Sequence, residues 1–335
     1  MTGRAPVRRL AALRGHRRAP APAYRPAALD DLPAASRVWS AALSDYLGRL
    51  NQPTFEPDLT PIHRLLAHFL ATDPDRFWVA TRPGPDDRPA PGDVGAGGER
   101  IVGFGSATVR GTTWFLGMLF VDPGEQAAGV GRTLLERVRA DVGDLALGTA
   151  TDSAQPISNA LYARLGIVPR LPVLHLAGQV ARPRALPGLG RGLEAVPFDA
   201  LGAARAAAAV DAVDLGLLGH VRRVDHDWLA RDGRVGLLLR DGRGEPVGYG
   251  YATRVGRIGP VAALDPEDLA PLLGHLIGVV PAAGAQSLWV PGSAGASVEM
   301  LLRAGFRLEP FPALLCWTRP LAPFDRYVPI SLALL

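Results

Sequence analysis

The chain has 335 residues, of which 48% are hydrophobic, and it carries 36 basic and 32 acidic side chains for a net charge of +4. This length suits two domains of about 150 residues each. Every basic residue is arginine, and the lack of lysine excludes GK[ST] phosphate loops, pyridoxal Schiff bases and kinase-type lysines. Six arginines lie within residues 1–23, and the near-neutral remainder argues against a nucleic-acid-binding body.

The sequence also argues against a membrane-spanning segment and against a metal site. No apolar run approaches the ~20 residues of a membrane helix, and the first residues lack an apolar signal segment. The single cysteine, Cys316, excludes an intrachain disulfide, and the scattered histidines form no metal motif. We therefore expect a cytoplasmic protein without metal, membrane or nucleic-acid partners, and the sequence leaves its oligomeric state open.

Apolar periodicity predicts mixed α/β structure through the first half of the chain. In chain order the predicted elements are a strand at 23–27, helices near 31–49 and 58–71, strands near 76–82, 100–110 and 113–121, a helix at 129–142, a strand near 144–151, a helix at 157–165 and a strand near 170–180.

The second half repeats the first. Three segments recur in the same order with offsets of 145, 143 and 139 residues: Val102–Thr108 as Val247–Thr253, Val121–Pro123 as Leu264–Pro266, and Arg164–Ile167 as Arg303–Phe306. We therefore predict two domains of the same fold. The predicted boundaries are a basic disordered tail at 1–22, a first domain at 23–181, a linker at 182–192, a second domain at 193–320 and a C-terminal tail at 321–335.

One loop of the first repeat has the composition of an anion site. It runs between a predicted strand and a predicted helix, and its residues are Gln126, Ala127, Ala128, Gly129, Val130 and Gly131. Two glycines at a helix N-terminus leave backbone N–H groups open to a phosphate. A dinucleotide fingerprint would need a third glycine and a suitably spaced acidic residue, which this stretch lacks. A simple turn is the remaining alternative.

This loop, followed by Asn159-Ala160-Leu161-Tyr162 and Gly166, resembles the GNAT superfamily of acyl-CoA N-acyltransferases. The opening Tyr24–Ala27 is similar to that family's first strand. The resemblance covers residues 23–180 and, in weaker form, 193–320. It implies two tandem GNAT-like domains, each a twisted, mixed, mostly antiparallel sheet flanked by helices.

The resemblance also implies how acetyl-CoA would bind. The loop from Gln126 to Gly131, with Arg132 next to it, would wrap the pyrophosphate. Backbone groups of Leu119, Phe120 and Val121 would run beside the pantetheine arm. Asn159 would steady that arm, and Tyr162 would donate a proton to the departing thiolate. Because Leu161 and Leu165 supply the core side of their helix, we predict that Tyr162 lies on the other side, although an ordinary half-buried aromatic is the alternative.

The general base is harder to assign. Many members of the resembled family use a carboxylate on the strand before the loop, but residues 114–121 contain none. Asp152 is the candidate, acting through water, and a helix cap is its alternative role. Asp45, Tyr46 and Glu56 are expected among the pocket walls.

The second repeat has lost these residues. Leu269 and Leu272 replace Gln126 and Gly129, and Val298 and Leu301 replace Asn159 and Tyr162. Only Gly274 keeps its counterpart, Gly131. The leading hypothesis is an acetyl-CoA-dependent N-acetyltransferase that uses its first repeat on a small-molecule or protein amine. The alternative is a CoA-binding pseudoenzyme or regulatory module.

Overall fold

The computed structural model describes residues 21–53, 58–83 and 95–335. The predicted N-terminal tail lies almost wholly outside these residues, as does Glu56. No helix of the described residues is both long enough and apolar enough to cross a membrane.

The described part of the first half alternates strands and helices as the periodicity predicts. Its elements are β1 (Ala23–Pro26), α1 (Leu32–Arg49), α2 (Thr60–Thr72), β2 (Phe77–Arg82), β3 (Arg100–Arg110), β4 (Thr113–Val121), α3 (Val130–Val138), β5 (Ala146–Asp152), α4 (Pro156–Ala163) and β6 (Val168–Gly178).

Helix α3 is shorter than predicted. It ends at Val138 rather than at residue 142, because Asp141 and Gly143 adopt positive φ angles of 55° and 49° that a helix cannot contain. Arg76 donates to the carbonyl oxygens of Val138 (3.4 Å) and Ala140 (3.0 Å), which stabilises this early end. Val142 is still buried, but from the turn that follows the helix.

The second half repeats this order with an extra helix near its start. Its elements are β7 (Glu194–Pro197), α5 (Phe198–Leu201), α6 (Ala203–Leu218), α7 (Arg223–Arg231), β8 (Val235–Arg240), β9 (Pro246–Ala252), β10 (Ile258–Ala263), α8 (Pro266–Val279), β11 (Gln286–Pro291), α9 (Gly295–Ala304), β12 (Arg307–Leu308), β13 (Ala313–Trp317) and β14 (Tyr327–Val328).

Two sheets result, and the larger one contains strands of both halves. Its order is β1-β2-β3-β4-β5-β13-β6-β11, with β12 also on β6, and the smaller sheet has the order β14-β10-β9-β8-β7. Among the strands of the described residues, β4 and β5 pair in parallel and the other pairs are antiparallel; one isolated parallel bridge joins Arg257 to Ser287. The mixed, mostly antiparallel architecture predicted from the sequence is confirmed.

The repeats exchange strands. β13 of the second half lies between β5 and β6 of the first, and β6 in turn pairs with β11 of the second half. The division of the chain near residues 182–192 therefore separates the repeats in sequence but not in the sheet. A buried cluster that includes Phe115, Tyr249 and Phe324 further joins the two halves.

The last residues also belong to the core. β14 pairs with Val261 and Ala262 of β10, and Ala333 and Leu334 are buried against α1, α2 and β4. The predicted C-terminal tail is thus packed rather than trailing.

Candidate active site

β4 and β5 separate beside the predicted cofactor loop. They pair with each other from Thr113–Leu116 to Ala146–Thr149. Beyond these residues they diverge, and up to Val121 and Asp152 each strand pairs only with its other neighbour, β4 with β3 and β5 with β13. At the point of separation Thr149 Oγ1 donates to Leu116 O (2.9 Å), and Gly117 forms a bulge without a partner on β3. Beyond it, the edge of β4 that faces β5 has backbone N–H and C=O groups that no neighbouring strand pairs.

The predicted loop opens directly onto the end of this gap. Gly129 is the N-cap of α3 with φ +82°, and no side chain caps the helix. The backbone N–H groups of Val130, Gly131 and Arg132 lie in the first turn, where a helix offers them no internal partner. A Cβ atom added to Gly131 would meet only Val121 Cγ2, at 3.6 Å. The loop therefore presents exposed, unobstructed donors at the positive end of a helix.

The side chains around this loop hold its shape. Asp122 Oδ1 accepts from Gly124 N (2.9 Å), and Gln126 Nε2 donates to Val121 O (3.2 Å). Arg82 and Arg100 bind the carboxylate of Glu125, with contacts of 2.7 Å from each. These bonds, that from Arg82 first, lower the pKa of Glu125. The Glu125 carboxylate, directly before the loop, is thus paired with two cations.

Asn159 on α4 has one half of its amide satisfied and the other free. Its Nδ2 atom donates to Asp152 O (3.1 Å) and Gln155 O (2.8 Å), which fixes the orientation of the side chain. Its Oδ1 atom is buried and has no hydrogen-bond partner among the described residues. A buried acceptor without a partner costs free energy. The position therefore suits a ligand that brings an N–H group.

Tyr162 lies one helical turn further along α4, and its ring is buried. Only 5% of it is exposed, and it packs in a cluster with Leu116, Leu135, Ile167 and Cys316. Leu161 and Leu165 join the edge of the same cluster, so the prediction that they exclude Tyr162 from the core side was wrong. Burial raises the pKa of the Tyr162 hydroxyl. The phenol is therefore protonated at neutral pH, and burial makes it a weaker acid than an exposed tyrosine.

Asp152 lies at the end of β5 beside Tyr46 of α1. Asp152 Oδ1 accepts from Ala154 N (2.9 Å) in a turn, whereas the N-cap of α4 is Gln155. Burial and the neighbouring Asp152 carboxylate raise the pKa of Tyr46. The buried Tyr46 Oη atom faces the Asp152 carboxylate. Sequence reasoning placed Tyr46 in the pocket wall, but nothing in the sequence pairs it with Asp152.

Residues 44–167 match the sequence model of the Acetyltransferase (GNAT) family. The matched range contains the loop, Asn159 and Tyr162. No curated protein matches the chain.

Three solved structures of this fold are similar to the whole chain at low sequence identity. A putative acetyltransferase from Pyrococcus horikoshii is 15% identical with a TM-score of 0.67, over 97% of this chain and 100% of that one. A GCN5-related N-acetyltransferase from Sphaerobacter thermophilus is 15% identical with a TM-score of 0.58, over 89% and 96%. A tandem GNAT protein from the clavulanic acid biosynthesis pathway is 17% identical with a TM-score of 0.52, over 89% and 99%.

The helix that corresponds to α3 in the second repeat, α8, differs from α3 at its N-terminus. Asp265 caps α8 by accepting from Glu267 N (2.9 Å), so an N–H group is already satisfied. Burial, followed by the charges of Asp265 and Glu267, raises the pKa of Asp268. This end of α8 is therefore occupied by its own carboxylates and repels a pyrophosphate.

The other counterparts of the first-repeat site residues are core residues. Leu269, Leu272 and Leu301 are fully buried in the apolar core of the second half, with Val298 at its edge. A Cβ atom on Gly274 would lie 3.2 Å from Pro187 of the linker, which covers this helix. Among the residues that the structure describes, no group of three or more His, Cys, Asp or Glu side chains could hold a metal ion.

Proposed function

We propose that the protein is an acetyl-CoA-dependent N-acyltransferase that works through its first repeat and acylates a primary amine. The observation that carries the proposal is that three features belong to the elements that border one gap, since Asn159 bonds to Asp152 at the end of β5. These are the uncapped α3 N-terminus, the unpaired edge of β4 and the free Oδ1 atom of Asn159. Together they match a molecule that has a pyrophosphate at one end and an amide-containing arm.

The residues present fit each part of that molecule. The N–H groups from Gly129 to Arg132 would bind the pyrophosphate. The backbone of Leu119, Phe120 and Val121 would pair with the amides of the pantetheine arm, and Asn159 Oδ1 would accept from an arm N–H group. The side chain of Gln126 is already engaged with Val121 O, so we assign the backbone rather than the amide of Gln126 to the cofactor.

Proton transfer would use side chains on the two faces of the sheet. The amine nitrogen attacks the thioester carbon, and the C–S bond then breaks. Tyr162 on α4 donates its proton to the departing sulfur, a step that a positioned acid accelerates by about 10²–10⁴. Asp152 accepts the proton that the amine loses, through a water molecule, and Tyr46 beside it helps to position that water. The thioester itself supplies the activated acyl group.

The functional test measures thiol release from acetyl-CoA with a panel of primary amines, for the wild type and for Tyr162→Phe. We expect turnover with at least one amine, a loss of about 10²–10⁴ in kcat for the variant, and unchanged acetyl-CoA affinity. Tight acetyl-CoA binding without turnover of any amine would instead favour a CoA-binding pseudoenzyme. The lack of a carboxylate in residues 114–121 is the observation that favours this second candidate.

We further propose an intact first repeat, residues 23–181, and a degenerate second repeat, residues 193–320. The capped, acidic start of α8 supports this assignment. Titration calorimetry with CoA should give one site per chain, and two sites would contradict it.

A further inference from the structure

Residues 330–335 of the second half pack against the first half, beside the bulge of β4. A Cβ atom placed on Gly117 would lie 2.5 Å from Ala333 O and 3.2 Å from Phe69 Cζ. Only a residue without a side chain allows the backbone of 330–335 to come this close to the strand. Ala333 and Leu334 are buried here with Leu66, Phe69 and Met118.

Gly117 marks the place where an acyl group would arrive. It is the first residue of β4 beyond the last pair with β5, and it lies four residues before Val121 at the mouth of the loop. At about 3.3 Å per residue, this span is ~13 Å, a distance that an extended pantetheine arm can cover. The closed end of the gap, beside Gly117, is thus the position of the reacting carbon under the proposed function.

The face on which the segment lies is the acceptor's face. The leaving-group acid, Tyr162, packs on the side of the sheet that carries α3 and α4. Tyr46, beside Asp152, comes from α1 on the opposite side. An amine that loses its proton towards Asp152 must therefore approach from the α1–α2 side, where Ala333 and Leu334 are packed.

A buried polar network holds the segment in place. Arg222 donates to the backbone oxygen of Leu335 and to Tyr327 Oη, the latter at 2.7 Å. The same guanidinium donates to Asp214 (3.0 Å) and to Tyr249 Oη (2.6 Å). All four side chains are at least nine-tenths buried. Such a satisfied network favours a single conformation of the residues it binds.

The segment is tied down before and within the turn as well. Arg326 donates to Leu264 O (2.7 Å), and β14 then pairs with β10. Ser331 Oγ accepts from Ala333 N (3.1 Å), which shapes the turn that brings Leu334 inward. These contacts therefore hold residues 330–335 in one position against the first half.

We propose that residues 330–335 of the second half form the acceptor-side wall of the acyl site, with Leu334 limiting the size of the amine. The inference rests on the proposed function. Apart from Ser331, whose hydroxyl accepts from Ala333 N, the side chains of this wall are apolar, and Asp152 with Tyr46 supplies the polar end. This combination fits a small primary amine with a compact apolar body.

The first test does not depend on finding the acceptor. Backbone hydrogen exchange is followed by mass spectrometry with and without acetyl-CoA. We expect slower exchange in residues 126–132 and also in residues 330–335. Protection of residues 126–132 without any change in residues 330–335 would overturn the proposal that residues 330–335 form a wall of the acyl site. Absence of protection in both would mean that the proposed cofactor site itself is wrong.

The second test measures selectivity. Leu334→Ala should raise kcat/KM for bulkier amines relative to the smallest accepted amine by about tenfold or more, since one methylene in an apolar pocket is worth roughly 10–200-fold. Leu334→Val, which removes less volume, keeps the test usable if the first variant fails to fold and should shift selectivity in the same direction. Leu321→Ala is the control, because Leu321 is buried against Gly148 in the paired part of β5. Equal effects of Leu334 and Leu321 variants on selectivity would overturn the proposal.

Discussion

Ala313 and Asp152 lie opposite each other in one antiparallel pair, although they belong to different repeats. The backbone of the proposed base is therefore held by a strand of the second half. In the sheet, β13 fills the space between β5 and β6, and the first repeat alone lacks any strand for that position.

From this pairing we expect that a chain ending at residue 192 does not fold by itself. The missing strand would expose two hydrogen-bonding edges in the middle of the sheet, which favours aggregation. Circular dichroism during urea unfolding should show no cooperative transition for this fragment. Co-expression with residues 193–335 should restore soluble, acetyl-CoA-binding protein. A cooperative transition of the isolated fragment would contradict the prediction.

A methyl group at Gly131 should separate cofactor binding from folding. The Cβ atom of Gly131→Ala meets only Val121 at 3.6 Å, and alanine is about 1 kcal/mol better than glycine in a helix interior. We therefore expect stability to be kept, whereas the methyl group beside the exposed N–H donors weakens acetyl-CoA binding by about tenfold or more. Gly278→Ala in α8 is the matched control, since nothing lies within 4 Å of its Cβ position. Equal affinities for both variants would exclude the loop as the pyrophosphate site.

Asp152→Asn should reduce kcat without changing the affinity for acetyl-CoA. The amide keeps the size of the side chain and still accepts from Ala154 N, but it no longer takes a proton from the amine. The expected loss is about 10²–10⁴ in kcat, measured by thiol release. Glu136→Gln, an exposed carboxylate change on α3, should leave the rate intact. A full rate in Asp152→Asn would remove this residue from the mechanism.

The buried ion pair between the halves should contribute strongly to stability. Asp225 of α7 accepts two bonds from Arg110 of β3, both at 2.8 Å, and one from His68 at 2.7 Å. Asp225→Asn leaves Arg110 without its main partner, and breaking a buried pair costs about 3–5 kcal/mol. Denaturant unfolding checks this. Glu299→Gln, which affects the exposed pair with Arg303, should cost about 1 kcal/mol or less.

The same carboxylate gives stability a defined pH dependence. Burial, the largest effect, favours the protonated form of Asp225, but His68 and Arg110 outweigh it and hold its pKa far below the ordinary range. Because the folded pKa is depressed, the stabilisation is fully present above the unfolded value near 3.9. It is then lost as the pH falls towards the folded pKa. Unfolding measured between pH 7 and 3 should have a smaller acid slope in Asp225→Asn than in the wild type; equal slopes would assign the slope to other groups.

The elements near the proposed cofactor site could be predicted from local sequence, because strand periodicity, the glycine loop and the helix of Asn159 each occupy a few consecutive residues. Comparison of the repeats also predicted that the second copy lacks counterparts of Gln126 and Asn159. The pairing of strands that lie far apart in the sequence leaves no such local pattern. Ala313–Trp317 reads as an apolar strand, but nothing in its residues says which of several strand edges it joins.

The orientation of Tyr162 illustrates a second limit. α4 has only eight residues, and both leucines near Tyr162 occupy the rim of the same cluster rather than its centre. A core face of such a short helix is wide enough to include an aromatic ring as well. The proximity of Tyr46 to Asp152 was likewise invisible, because it depends on how α1 packs over the end of β5.

The exchange of β13 also sets the order of events during protein synthesis. The loop, Asn159 and Tyr162 leave the ribosome in the first half of translation, whereas the strand that supports Asp152 follows only with residues 313–317. Until residues 313–317 are synthesised, the edges of β5 and β6 that pair with β13 are unpaired. Unpaired strand edges favour incorrect pairing in a nascent chain. A ribosome that stalls in the second repeat would therefore release a chain with every proposed catalytic residue and no finished catalytic site.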